Sequence, residues 1–423
     1  MQSVKINNNL SVNVISMTKL KTTSVGVYIH RPLCESDASY NALLPLVLKS
    51  GNKLCPDRES VAKYLENLYG ASMGATTLKR GEDHIIYFDA ETISDRYAPE
   101  GEKLVSDLLR VVLASIFEPV EINGTFDEKI VEQEKVNAID KLDAFVNDKR
   151  SYASSRCQQE TARGTNFAIL RYGTREGLSS ITAKSLYDYY KSIITSSVID
   201  VYICGDADAA AAAEVVREYT DKLSFTDAEI PKTEIISRQQ GDVHKVTEEM
   251  DVAQGKLAVG FLTNIKPSDS DYDALIVFNS VFGAGAHSKL FNNVREKLSL
   301  CYYASSQVER AKGMITVNAG IEFENFKKAY DEILVQLEEI RKGNISDDEF
   351  NASVSALVNT FNSYYDDQRA MATFSLVEKV NGTNRTVEEC IERVKRVTVD
   401  EVAAAANKLK LDTVYFLKGK ENA

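Results

Sequence analysis

Ser36-Asp37-Ala38-Ser39-Tyr40-Asn41-Ala42-Leu43 returns later in the chain as Ser268-Asp269-Ser270-Asp271-Tyr272-Asp273-Ala274-Leu275, identical at five of eight positions. The copies stand 232 residues apart, and the same offset carries Gly51 onto Gly283 and Gly81 onto Gly313. One octapeptide can recur by chance. Three anchors in one register point to a duplicated unit.

The flanking segments follow the same order in both copies. Around the first, 10–15 and 23–29 alternate as strands, while 40–49 and 60–69 carry helical spacing, the latter with Val61, Tyr64, Leu65 and Leu68 on one face. Residues 72–92 read as two strands turned at Arg80-Gly81-Glu82-Asp83. Around the second, 256–263 is a strand, 271–282 and 288–298 are helices, and 300–309 with 314–320 form a hairpin about Lys312-Gly313. Helical patterns at 103–117 and 127–147, a buried strand at 198–204 and an alanine-rich helix at 207–223 complete the first half. Residues 224–240 include Pro231 and lack an apolar period, so they read as a linker. The expected fold class is α+β. Two tandem repeats, 1–223 and 241–423, each pack a mostly antiparallel sheet against long helices.

The chain has 423 residues, enough for two cores of about 200 residues each. Its 50 Lys+Arg and 62 Asp+Glu give a net charge of −12, which argues against a phosphate backbone as partner. Six cysteines show no ligand spacing and suit a reducing compartment. Residues 1–20 hold no signal-like apolar stretch, and the run 43–48, with Pro45 inside it, falls well short of the about 20 residues that cross a bilayer. Neither nucleic acid nor membrane is expected as a partner, and the chain reads as cytoplasmic.

The stretch 282–303 holds the candidate site: Phe282-Gly283-Ala284-Gly285 breaks one helix, the next carries Arg295, and a strand begins near Tyr302. The simplest reading is a capped junction, with Leu290, Phe291, Val294 and Leu298 as the buried face, Arg295 paired to Glu296 or another carboxylate, and Tyr302 in the core. Alternatively, a guanidinium and a phenol at one junction donate hydrogen bonds to the carbonyls of an extended peptide. The glycine pair follows a helix and lacks a third glycine, which argues against a dinucleotide loop.

Leu-Phe-x-x-x-Arg-Glu-Lys-x-x-Leu-x-Tyr at 290–302, preceded by Phe-Gly-x-Gly-x-x-Ser, resembles the second-repeat signature of the pitrilysin/insulinase family, the inverted zincins. The family has glycine where this chain has Ser299. The resemblance covers the whole chain and implies a fold like that of mitochondrial processing peptidase. It also implies that Arg295 and Tyr302 hold the substrate peptide. Family zinc is bound by H-x-x-E-H in the first repeat and by a later glutamate. Anchored on Gly51, those positions fall on Ala42, Pro45 and Leu46, and, counted from Glu134-Lys135, near Lys141. None of these binds zinc.

His30, His84, His244 and His287 offer no paired spacing for another metal site. No G-x-S-x-G elbow or P-loop is present, and the acids Asp347-Asp348-Glu349 and Asp127-Glu128 read as helix caps. The chain is therefore expected to be inactive by itself and to bind no cofactor. The resemblance implies the non-catalytic subunit of a bacterial heterodimeric zinc metallopeptidase, whose partner carries H-x-x-E-H and the zinc. The alternative is a peptidase-like scaffold with no role in cleavage.

Overall fold

The structure is a computed structural model describing residues 1–239 and 241–420. Gln240, the last residue of the expected linker, and residues 421–423, the end of the expected second repeat, lie outside the described residues.

One sheet contains β1 (Gln2–Lys5), β2 (Leu10–Ser16), β3 (Thr22–Pro32), β4 (Ser72–Arg80), β5 (Asp83–Ile93) and β6 (Val198–Gly205), in the order β1-β2-β6-β3-β5-β4. The other contains β7 (His244–Met250), β8 (Gly255–Leu262), β9 (Cys301–Glu309), β10 (Met314–Ile321) and β11 (Lys410–Gly419), in the order β7-β11-β8-β10-β9. Without β1 the two orders coincide strand for strand. The pairing sense coincides too: β2–β6 and β7–β11 are parallel, and their other neighbours antiparallel. The duplication is thus a repeat of topology.

The glycine anchors have physical reasons. Gly81 and Gly313 hold the same left-handed turn, with φ of 58° and 60°, which a side chain disfavours. Gly51 and Gly283 sit where backbone or neighbours come close. A Cβ on Gly51 would lie 2.7 Å from the Pro56 carbonyl oxygen, and one on Gly283 would lie 2.7 Å from the Ser306 nitrogen.

The central strands β3 and β8 are buried along almost their whole length, so each sheet needs cover on both faces. In the first sheet Val25, Val27 and Ile29 join the core built with helix Leu104–Phe117. On the opposite face lies helix Gln368–Val380, packed on β3 and β6 and burying Met371, Ala372, Phe374 and Leu376. The second sheet is covered on one face by helices including Tyr272–Phe282 and Phe326–Arg341. Helix Lys149–Thr161 packs Ala153 and Cys157 against Ala258, Tyr415 and Leu417.

Each sheet therefore takes one covering helix from the other half of the chain. One compact unit comprises Met1–Leu142, Ile169–Lys232 and Tyr364–Val380; the second comprises Asp143–Ala168, Thr233–Ser363 and the chain from Asn381 onward. Boundaries at 223 and 241 follow the sequence repeat, whereas the packing units are discontinuous. The reason is the second apolar face of each sheet, which the helices packed on the first leave open.

Candidate functional site

Helix Tyr272–Phe282 ends at Gly283, whose N–H donates to the Asn279 carbonyl at 3.0 Å. The following segment, Leu290–Lys297, is a π-helical turn and not the expected α-helix. The Leu298 N–H reaches back five residues to the Asn293 carbonyl at 3.1 Å. Widened turns of this kind are rare and gather at functional sites. The extra width also changes which side chains face inward. Leu290 and Val294 are buried as expected, but Leu298 is exposed and Phe291 is half-buried beneath Arg295.

Ser299, which stands where the family has glycine, adopts φ of 50°. The left-handed region costs a non-glycine residue roughly 1–2 kcal/mol, while glycine gives back about 0.4–1 kcal/mol through the unfolded chain. Ser299→Gly is accordingly expected to stabilise the protein by about 0.5–1 kcal/mol net. Urea unfolding checks this; a destabilised variant would show that the hydroxyl matters more than the backbone.

The Arg295 guanidinium lies 4.6 Å from the centre of the Phe291 ring, and its Nε is 3.5 Å from Glu296 Oε1. Its side chain is 41% exposed. Tyr302 is not in the core: it is 54% exposed, and its hydroxyl donates to the Glu322 carboxylate. That bond holds the phenol above its ordinary pKa. Between them Cys301 is buried, and burial pushes its thiol up to about 11 against the opposing pull of Arg295. Among the described residues no hydrogen bond joins Arg295 to Tyr302, and each engages a neighbouring carboxylate at the surface.

In the first repeat, helix Glu35–Leu48 carries Ala42, Pro45 and Leu46. Ala42 is half-buried; Pro45 and Leu46 are buried. His84 bonds to this helix but is held neutral. Its Nδ1 accepts from the Asn41 amide at 3.1 Å, its Nε2–H donates to the Arg171 carbonyl at 2.9 Å, and burial pushes it down to about 4. Lys141 lies on helix Glu128–Asn147.

Leu46 and Lys141 line one cleft of about 390 Å³, together with Lys49, Arg58, Glu134, Asn137 and Asp140. Ala42 and Pro45 do not line it. Glu134 is buried and already satisfied: Arg58 pairs with it, and the Asn137 amide donates to it at 3.1 Å. Arg58 Nε also donates to Ser50 Oγ at 3.2 Å. With an alkyl side chain or a cation at each motif position and three cations around the cleft, these residues do not fit a zinc ion. Among the described residues no three His, Cys, Asp or Glu side chains gather as metal ligands.

Lys49 and Arg58 were missed in the sequence. A signal for Lys49 existed, since it stands three residues after Leu46 and four after Pro45, on the same helical face.

A second cluster is structural. His30 lies buried between two carboxylates, with Nδ1 2.6 Å from Asp83 Oδ2 and Nε2 3.3 Å from Asp200 Oδ2, the latter off the hydrogen-bonding direction. Burial alone would push the imidazole down, but Asp83 and Asp200 together raise it from 6.5 to about 9. Asp200 also accepts from Lys379 Nζ at 2.7 Å and from Ser11 Oγ at 2.6 Å. Burial opposes its charge, but His30 and Lys379 outweigh that and hold its carboxyl down at about 2.

Two copies of one α+β unit, with alanine, proline, leucine and lysine where the resemblance places the metal ligands, define a metallopeptidase homologue. The chain belongs to the pitrilysin/insulinase family, M16, and to its inactive branch. Residues 180–357 match the family described as "Peptidase M16 inactive domain". The chain is 33% identical over 414 residues to the Bacillus subtilis protein named "Probable inactive metalloprotease YmfF", covering 98% of this chain and 97% of that one. A solved structure of a conserved protein from Enterococcus faecalis V583 superposes with a TM-score of 0.91 at 29% identity, covering 100% of this chain and 99% of that one. The M16 inactive domain from Pseudomonas fluorescens shares the fold, with a TM-score of 0.77 at 16% identity over 100% of this chain and 98% of that one. No helix among the described residues is long and apolar enough to cross a membrane.

Proposed function

We propose that this chain is the non-catalytic, peptide-binding subunit of a zinc metalloendopeptidase complex, with zinc and H-x-x-E-H supplied by a partner of the same family. The observation that carries the reading is the exposure of Arg295 and Tyr302 beside β9. That strand is the last in its sheet and bonds to β10 on one side. An open strand edge accepts an extended peptide through main-chain hydrogen bonds. A guanidinium and a phenol next to it supply donors for the peptide's carbonyls. Both now engage surface carboxylates, Glu296 and Glu322, which they can exchange for a peptide at small net cost, because exposed pairs contribute about 0–1 kcal/mol.

The same carboxylate contacts also favour a second reading, in which the side chains are satisfied locally and the fold serves as a scaffold. Cleavage assays separate the two. Purified alone, the chain is expected to hold no stoichiometric zinc. Mixed with a partner carrying H-x-x-E-H, it is expected to raise peptide cleavage. Arg295→Ala should lower that gain by roughly tenfold and Tyr302→Phe by somewhat less, each loss corresponding to about 1–1.5 kcal/mol. Full activity with both variants would exclude the peptide-holding role and leave the scaffold.

A further inference from the structure

We propose that the cleft lined by Leu46, Lys49, Arg58, Glu134, Asp140 and Lys141 binds a carboxylate of a bound peptide, either an acidic side chain or the C-terminus. Assigning that carboxylate to a peptide rests on the peptide-binding reading above. The cleft measures about 390 Å³, within the range of small-ligand sites, and it joins helix Arg58–Asn67 to helix Glu128–Asn147 and the end of helix Glu35–Leu48. Its charges are three cations and two carboxylates. Glu134 is buried and neutralised by Arg58, so its charge is settled inside the wall. Lys49 is half-buried, and among the described residues neither Lys49 nor Lys141 forms an ion pair or side-chain hydrogen bond. Two lysines without an ion partner thus line one cleft, with only Asp140 left to oppose their charge. The residual single positive charge suits a monoanion. A phosphate dianion would overcompensate it and face Asp140. The apolar floor at Leu46 suits the methylene stem of a glutamate.

Small carboxylates test the site directly. The full chain, with lysines carrying ¹³C-methyl groups that keep their charge, is titrated with three compounds. N-acetylglutamate α-methylamide carries only a side-chain carboxylate, N-acetylalanine only a terminal one, and N-acetylglutamine methylamide no charge. At least one of the two carboxylates should move the Lys49 and Lys141 resonances together and saturably, and which one does so identifies the source. Lys49→Gln should abolish the Lys141 response. No saturable movement, or equal movement by the glutamine compound, overturns the proposal.

Extended peptides that differ by one Glu or Gln, walked along an otherwise neutral sequence, complete the test. At one position Glu should bind roughly fivefold tighter than Gln, and the difference should vanish in the Lys49→Gln/Lys141→Gln double variant. Peptides that bind with no such difference overturn the cleft assignment and leave the peptide-binding reading standing. If no peptide binds while a small carboxylate titrates, the peptide-binding reading falls and the cleft keeps its anion.

Discussion

Asp200→Ala is expected to lower folding stability by about 3–5 kcal/mol, the range for removing one partner from a buried charge pair. Asp200 is fully buried and accepts two contacts of 2.7 Å from Lys379 Nζ and one of 2.6 Å from Ser11 Oγ, with His30 beside it at ion-pair distance. Its removal leaves a buried imidazolium with Asp83 alone and frees the ammonium that ties helix Gln368–Val380 to β6. Asp200→Asn keeps the shape and should lose less. Lys379→Met should lose least, since that side chain is 35% exposed. Urea unfolding ranks the three, and an Asp200→Ala midpoint close to wild type would mean that the network contributes nothing net.

The same network sets a pH dependence. The raised His30 stabilises the fold fully below its ordinary pKa of 6.5, and this contribution is lost as pH rises through about 9. The full loss amounts to about 3 kcal/mol. Asp200 acts in the opposite direction: its contribution is present above the ordinary 3.8 and is lost as pH falls toward about 2. Stability should therefore peak between pH 4 and 6.5 as far as these two groups decide it, and the alkaline decline should flatten in Asp200→Ala.

Cutting the chain between Lys232 and Thr233 is expected to leave neither half folded alone. The first half would lack helix Gln368–Val380, which buries Met371, Phe374 and Leu376 on one face of its sheet. Each such side chain is worth about 1.5–3 kcal/mol. Together with the Lys379–Asp200 pair, their loss matches the about 5–15 kcal/mol that holds a typical domain. The second half would lack helix Lys149–Thr161 and, with it, the cluster around Cys157 and Tyr415. Mixed or co-expressed, the fragments should regain the dispersed NMR spectrum and cooperative unfolding of the intact chain. A fragment 1–232 that unfolds cooperatively with native-like stability would show that the exchanged helix is dispensable.

Much of the fold was legible because its signals are local. Gly51 and Gly283 mark close approaches and Gly81 and Gly313 mark left-handed turns, so one offset of 232 residues aligned two topologies whose strand orders coincide. The expectation that no zinc ligands stand at Ala42, Pro45, Leu46 and Lys141 was equally local, a matter of residue type. The π-helical turn was not legible, because Leu290, Phe291, Val294 and Leu298 fit an α-helical stripe equally well. Only the backbone bond from Leu298 to Asn293 reveals the wider turn that exposes Leu298 and sets Arg295 over Phe291.

By itself the sequence determined the duplication and the α+β class, since periodicity and glycine geometry are properties of neighbouring residues. Tertiary structure alone decided which helix covers which sheet, because a helix with one apolar face fits either sheet and the choice is made by partners far away in the chain. It likewise decided that Tyr302 stands in solvent, that Asp200 ties His30 to Lys379, and that Lys49, Arg58 and Lys141 meet at one cleft. Charges separated by tens or hundreds of residues acquire a common environment only when the chain has folded.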